Sequence, residues 1–423
     1  MNDSSGVTGA VVAMLSAFQT RKRMKSIQEG NYERQGITYY QPSYIESFFD
    51  EDLPFGNMAF SGGLNIIRAR AIGRVVDIAI KQGYHPVILH CANQELEQLL
   101  FSNFGNKVSL INRSNPIYDP FWGSTDYEIS SLVLSSSSKV YEIGSAGKYY
   151  LDGVTEFIRS KGITPYSRMY IRCPHLTLLD KINEAETSGK ISSTTARRIT
   201  SQLMQGEKER SNIENFFNTM LLQADGILSK KRDLSASTNV ALAAAHHEII
   251  SFDVLSTTNY LLLNMITKEI ERQIASGKKY VVIIDSLSFV SNDVLKGFVG
   301  RISSNSSIVF SSDDVYSLFS GNDNMFYSFL GQCSTVMLSK HISSFSCQKW
   351  SDYIGSYDKQ EVNSTFSTNI GIIQNWSYGT GSAASVTTKR ENIVKPEEIM
   401  RLAVNEFYVI DKATGELSHA QIV

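Results

Sequence analysis

The sequence predicts an α/β fold, a mostly parallel β-sheet flanked by helices, interrupted by an all-α insertion. Three observations carry this. From Gly56 onward, short β-rich runs alternate with longer runs of helical spacing. From Asp126 to Ala245 apolar residues recur at helical spacing and β-branched runs become scarce. After Ala245 the strand and helix alternation returns. Units of this kind close through right-handed crossovers, which place successive strands parallel. The expected organisation is an N-terminal helix and leader over 1–53, the first part of an α/β domain over 54–125, an all-α insertion over 126–245, and the second part of the α/β domain over 246–423.

The elements follow in order. "NMAFSGG" reads as a short strand and turn, "IIRARAIGRVVDIAIKQG" as a helix stopped by Gly83, and "HPVILHCA" as the next strand. "NQELEQLLFSNFG" is a capped helix ending at Gly105, and "NKVSLINR" is a third strand. In the middle, "EISSLVLSSSSKVYEIGSAGKYYLDGVTEFIRSKG", "PHLTLLDKINEAETSGK" and "IENFFNTMLLQADGIL" all read as helices. The sheet resumes with "HEIISFDVLS", the long helix "TTNYLLLNMITKEIERQIASG", the strand ending at Asp285, the helix "NDVLKGFVGRI" and the strand "SSIVFSS". "CSTVMLSK", the helix "SFSCQKWSDYIGSY", a loop or edge hairpin over 363–388, and a helix opened by Pro396 before a last strand complete the chain.

Bulk composition narrows the functional classes. The 423 residues are 42% hydrophobic and 19% charged, as in a folded globular protein. Forty basic against 42 acidic residues give a net charge of -2, so no global cationic excess attracts a phosphate backbone. Cys91, Cys173, Cys333 and Cys347 are far apart without a CxxC pair, the pattern of reduced thiols rather than of a disulfide framework or zinc site. The apolar run "GVTGAVVAMLSAF" precedes the basic cluster Arg21–Lys25, the reverse of a signal peptide, and is too short to span a bilayer; it reads as an amphipathic docking helix able to touch a membrane surface.

Few motifs carry chemistry. "GSAGKYY" (144–150) holds a Gly-Lys pair but lacks the long glycine loop, the Ser or Thr after lysine and the preceding strand that a phosphate site needs. The turn "FSGGLNIIRARAIG" is better placed, since a strand–turn–helix unit presents backbone amides and a positive helix end to an anion. Asp285 ends a central strand, where open α/β sheets bind ligands, although an Asp there also caps helices. His246 and His247 are adjacent and diverge on a helix, and His90 and Cys91 alternate on a strand, so no metal site is assigned. The basic runs "SKKRD" and "TARRIT" read as solvated helix faces.

The order of these pieces resembles the cytosolic ATPase domain of type IV coupling proteins, the TraG/TraD-like members of the FtsK/HerA class of DNA-pumping P-loop ATPases, over roughly 54–411. "NPIYDPFW" is similar to that family's turn after its third strand, "KKYVVIID" to its Walker B strand, "SSIVFSSDDVYSLF" to its sensor strand, and "IVKPEEIMRLAVNEFYVID" to its C-terminal helix and strand. The resemblance implies a P-loop NTPase-like, RecA/FtsK-type fold, ATP with magnesium as cofactor, conjugation or secretion proteins and DNA or a nucleoprotein as partners, a homo-oligomeric ring, and a cytoplasmic location, peripheral to the inner face of the membrane. It places Gly62, Gly63, Asn65 and Arg68 in a remnant phosphate loop and Asp285 as the remnant Walker B acid. Ile66 and Ile67 stand where Lys and Ser/Thr belong, Ser286 replaces the glutamate, and Asp313 replaces the sensor glutamine. Loss of all four removes most of what stabilises phosphoryl transfer and implies weak or lost nucleotide binding in a non-hydrolysing, pseudo-ATPase scaffold or cargo-docking subunit. Two other readings stay open: an active translocase with Arg68 or Arg70 in place of the lysine, and an unrelated α/β enzyme using Asp285, Asp313 and Asp314 as an acidic cluster.

Overall fold

In a computed structural model the structure describes residues 56–137, 142–255, 260–286, 306–319, 321–369, 379–412 and 415–421. The N-terminal docking helix and the helix "NDVLKGFVGRI" lie outside the described residues.

Nine strands form one sheet: β1 (Asn57–Ser61), β2 (His85–His90), β3 (Val108–Ile111), β4 (Ile249–Asp253), β5 (Tyr280–Ser286), β6 (Ser307–Ser312), β7 (Cys333–Leu338), β10 (Glu406–Asp411) and β11 (Glu416–Gln421). Their order is β11-β10-β7-β1-β6-β5-β2-β4-β3. All neighbours from β7 to β3 are parallel, and β10 alone is reversed, pairing antiparallel with both β7 and β11. Strand β11 follows the strand expected to be last: "ELSHAQ" is an edge strand that buries only Leu417 on one face and Ala420 on the other, too weakly hydrophobic to stand out in the sequence. The strands β8 (Ser356–Asn369) and β9 (Gly379–Asn392) pair with each other in a separate antiparallel hairpin, one of the two forms expected of the Ser/Gly/Asn-rich stretch.

Each strand of the parallel sheet alternates its side chains between two apolar layers. Met58, Phe60, Ile88, Val281, Ile283 and Val309 face one way, against the helices α1 (Asn65–Lys81) and α2 (Gln94–Phe104), which bury Ile72, Val76, Leu96 and Leu100 there. Ala59, Val87, Leu89, Ile250, Phe252, Val282 and Ile284 face the other way. Near-continuous apolar runs such as "VVII" are the mark of strands covered on both faces.

Between β3 and β4 the described regular elements are all helical: α3 (Asp126–Ser137), α4 (Gly147–Ser160), α5 (Ser167–Ile171), α6 (Leu178–Thr187), α7 (Ser193–Gly206), α8 (Arg210–Ala224) and α9 (Val240–Ala245), with short 3-10 turns. The run expected as one helix from Glu128 is two, α3 and α4, with 138–141 outside the described residues. These helices share one continuous core with the second face of the sheet and with α10 (Tyr260–Ala275). Tyr118 joins them, with its ring edge-on to Phe252 at 5.2 Å and its backbone bridged to Leu228 and Thr238. The remaining helices are α11 (Val315–Leu318), α12 (Asp323–Gln332), α13 (Ser344–Ile354) and α14 (Pro396–Arg401). No helix among the described residues is long and apolar enough to cross a membrane.

Candidate functional site

The carboxyl ends of β1, β6, β5 and β7 gather the polar residues that sequence places at the site. Strand β6 lies between β1, which runs into the Gly62–Gly63 turn, and β5, which ends in Asp285. Register sets Ser61 beside Ser312, and Asp285 beside both Ser311 and His90.

The turn after β1 is short: Gly62, Gly63 and Leu64 alone separate the strand from α1. Both glycines hold positive φ, 88° and 75°. Their amides are engaged, Gly62 N donating to Ser312 O at 3.0 Å and Gly63 N to Lys340 O at 3.1 Å. A Cβ on Gly62 would stand 2.6 Å from His341 Cε1 and 2.7 Å from Lys340 O, so the imidazole and the β7 exit close directly over this turn. Leu64 N-caps α1 without a side-chain hydrogen bond.

Arg68, one turn into α1, folds back under this loop with its side chain only 2% exposed. Its Nη1 donates to Gly63 O at 2.9 Å, its Nη2 to Asn65 Oδ1 at 2.5 Å, and its Nε lies 3.6 Å from Asp285 Oδ1. Asp285 accepts from Ser311 Oγ at 2.7 Å on Oδ1 and from Asn93 Nδ2 at 2.6 Å on Oδ2. Asn93 is itself the N-cap of α2, accepting from Leu96 N. Both carboxylate oxygens are thus held, beside one buried cation. The structure brings Gly63, Asn65, Arg68 and Asp285 into one network, with Gly62 beside it, bonded to Ser312 O. Arg70 is exposed on α1 and takes no part, Ile67 is buried in the sheet core, and Ile66 packs against it.

A second knot sits beside the first. Ser61 Oγ accepts from Val315 N at 3.0 Å and bonds His341 Nε2 at 2.9 Å, while His341 Nδ1 lies 2.8 Å from Ser339 O. A ring nitrogen facing a carbonyl must carry the proton, so Nε2 is the acceptor and Ser61 the donor. Burial holds the His341 imidazole below its usual pKa, against the opposing pull of Asp314 and Asp313.

The three acids Asp285, Asp313 and Asp314 do not form one acidic cluster. Asp314 caps α11 through Tyr316 N and accepts from Ser346 Oγ, Asp313 accepts from Ser312 Oγ and Asp314 N within its own turn, and Asp285 belongs to the Arg68 network. Among the described residues no group of His, Cys, Asp or Glu is placed to hold a metal ion. At the end of β2, burial lowers the pKa of His90, whose Nε2 finds no hydrogen-bond partner at 3.6 Å from Glu97. Lys148 of the Gly-Lys pair forms an i,i+4 ion pair with Asp152 on α4. His341, Asn93 and Ser311 were not singled out in the sequence. Only Asn93 carried a local signal, as the cap before "QELEQLL".

No protein-family model matches the chain, and no curated protein sequence matches it. Among solved structures it is similar to the unbound monoclinic form of the bacterial conjugative coupling protein TrwBdeltaN70, at 13% identity, with 87% of this chain and 84% of that one covered and a TM-score of 0.47. It is similar to the plasmid coupling protein TrwB in complex with ADP and Mg2+, at 14% identity, 87% and 85% coverage and a TM-score of 0.45. It is also similar to VirB4 of Thermoanaerobacter pseudethanolicus, at 10% identity, 87% and 89% coverage and a TM-score of 0.44.

Proposed function

We propose that this chain is a non-hydrolysing, ATPase-like component of a conjugative or type IV secretion DNA-transfer apparatus, a scaffold or cargo-docking subunit whose nucleotide site is filled by its own side chains. The observation that carries the reading is the Arg68–Asp285 contact beneath a three-residue turn whose glycine amides already serve the sheet. A phosphate cradle needs amides free to point at the anion. Magnesium needs open carboxylate oxygens and room for water. The residues present fit neither: the Asp285 oxygens are engaged, Arg68 supplies the neutralising charge, and Ile66 and Ile67 are apolar. The apparatus itself comes from the order of sequence motifs that resembles the coupling-protein ATPase domain. In this reading the helices over 126–245 receive cargo or a partner, and the protein works in the cytoplasm beside the membrane machinery.

The test is calorimetry of the purified chain with ATP, with and without magnesium, alongside phosphate release with and without DNA. The expected outcome is no saturable binding and no release. Tight magnesium-dependent binding, lost in Asp285→Asn, together with DNA-stimulated release, would replace this reading with an active translocase in which Arg68 swings from Asp285 to the nucleotide.

A further inference from the structure

The carboxyl edge of the sheet carries an apolar surface around the closed turn. Leu64 follows Gly63 and N-caps α1. Ile342 follows His341, the imidazole that closes over Gly62. Val404, in the loop between α14 and β10, brings its carbonyl oxygen to 4.0 Å from a Cβ at Gly63. Phe345 is the second residue of α13, one turn beyond Ile342. All four side chains are exposed, Ile342 at 89% and Phe345 at 61%. Single exposed apolar residues are ordinary in a folded protein, but four gathered round one turn mark an interaction surface. They also stand on fixed backbone. Leu64 O accepts from Ile67 N and Arg68 N, and Ile342 lies between buried His341 and Ser343, which caps α13 through Ser346 N. The Phe345 ring stands edge-on to Tyr316 at 5.7 Å, with Lys349 Nζ 5.4 Å from its centroid. Anchors held in this way lose little freedom on binding.

Charge selects the occupant. Lys340 O accepts from Gly63 N, which places this lysine beside the same turn, and its exposed ammonium makes no ion pair or hydrogen bond among the described residues. The neighbouring acids are engaged: Asp313 accepts from Ser312 Oγ, Asp314 from Tyr316 N and Ser346 Oγ, and Glu406 from Ala403 N. One positive charge is left uncompensated among apolar side chains. A second copy of this chain, docked patch to patch about a two-fold axis, would bring two Lys340 ammonium groups together. The chain's own apolar run "GVTGAVVAMLSAF" is followed by Arg21–Lys25, again of the same sign. We propose that this face is a docking site for an acidic amphipathic helix of a partner protein, whose apolar side seats on Leu64, Ile342, Phe345 and Val404 while an Asp or Glu meets Lys340. The surface is separate from the helices over 126–245 and uses none of the side chains of the Arg68–Asp285 network.

The probe is a synthetic helical peptide of about 16 residues with leucines at i, i+3, i+4 and i+7 and glutamates on the flanking positions, beside a twin with lysine for every glutamate. Fluorescence anisotropy against the full chain should show saturable binding of the glutamate peptide and little of the twin. Ile342→Glu and Phe345→Ser should each weaken it by at least about tenfold. Lys340→Glu should exchange the preference, rejecting the glutamate peptide and accepting its twin. Circular dichroism of each variant separates loss of docking from loss of fold. A glutamate peptide that does not bind, equal binding of the two peptides, or binding that Ile342→Glu and Phe345→Ser leave unchanged overturns the proposal. So does a self-associated chain that Ile342→Glu returns to monomer, which assigns the face to a second copy. Calorimetry with ATP keeps the two readings apart, since magnesium-dependent ATP binding would overturn the non-hydrolysing reading and leave the peptide result standing.

Discussion

The Arg68 Nε atom lies 3.6 Å from Asp285 Oδ1, with the two side chains only 2% and 5% exposed. The contact joins the first helix to a strand two places away across the sheet, so it acts as a tie between α1 and β5 as well as a charge balance. Removing one partner strands a buried charge. Arg68→Ala or Asp285→Ala should each lower stability by ~3–5 kcal/mol, whereas Arg68→Met combined with Asp285→Leu should cost markedly less. Urea unfolding of the four proteins reads this directly, and equal midpoints for wild type and both single variants would show that the pair is not a buried tie.

Gly62 and Gly83 offer an internal comparison, since both have positive φ, but Gly62 faces His341 while nothing lies within 4 Å of a Cβ at Gly83. Gly83→Ala should cost ~1–2 kcal/mol, the backbone term alone. Gly62→Ala should cost clearly more. In a His341→Ala background the Gly62 penalty should fall but stay above that of Gly83, because Lys340 O still lies 2.7 Å from the added Cβ; additive effects in this cycle would mean that the imidazole does not close over the turn.

Two buried carboxyls away from the candidate site titrate with a shift, one tying α10 to the helical segment and one within that segment. Glu269 accepts from Tyr118 Oη, Val240 N and Ala241 N, and burial pushes its pKa from 4.5 up to about 7. Asp119 accepts from Ser167, Phe121 and Trp122, and burial pushes it from 3.8 up to about 6. Raised values mean that the folded chain holds protons which the unfolded chain releases. The contribution is therefore fully present below about pH 4 and is lost as pH rises to about 7. For Glu269 alone the loss is on the order of 3 kcal/mol. Chemical denaturation from pH 4.5 to 7.5 should show this decline superimposed on other titrations, and Glu269→Gln should flatten its upper part. An unchanged slope in that variant would locate the effect elsewhere.

Ser61→Ala should test the second knot. It leaves Val315 N–H and His341 Nε2 buried without their partner, at a cost of ~1–3 kcal/mol. Ser61→Thr, which keeps the hydroxyl, should recover part of that in thermal melts; equal losses in the two variants would point to packing rather than hydrogen bonding.

The strands of the parallel sheet were legible because both their faces are apolar, so "MAF", "VIL" and "VVII" announce themselves without a partner in view. The place of Asp285 was legible for the same reason, since a polar residue that ends such a run must sit at the sheet's edge. The direction of Arg68 was not: Arg68 and Arg70 look equivalent in sequence, and only the packing of α1 on β1 turns one inward and the other to solvent. The role of His341 was equally hidden, because its hydroxyl partner Ser61 is 280 residues away. The core shared by the helices and the sheet was not legible either, since helical spacing reports that a helix buries a face but not what it buries it against.

The position of β1 has a consequence for the order in which the chain folds. This first strand sits between β6 and β7, pairing Met58 with Val309 and Thr335, and Asn57 Oδ1 waits for the Ile308 amide, 251 residues later. While the chain emerges from the ribosome, β2 can gather β4 and β5, but β1 has no neighbour until most of the protein has been made. Its apolar flanks then remain open to solvent or to a chaperone for most of synthesis. The turn that would hold a nucleotide takes its shape only when Lys340 and His341 arrive, so the lock over this site closes as one of the last acts of folding.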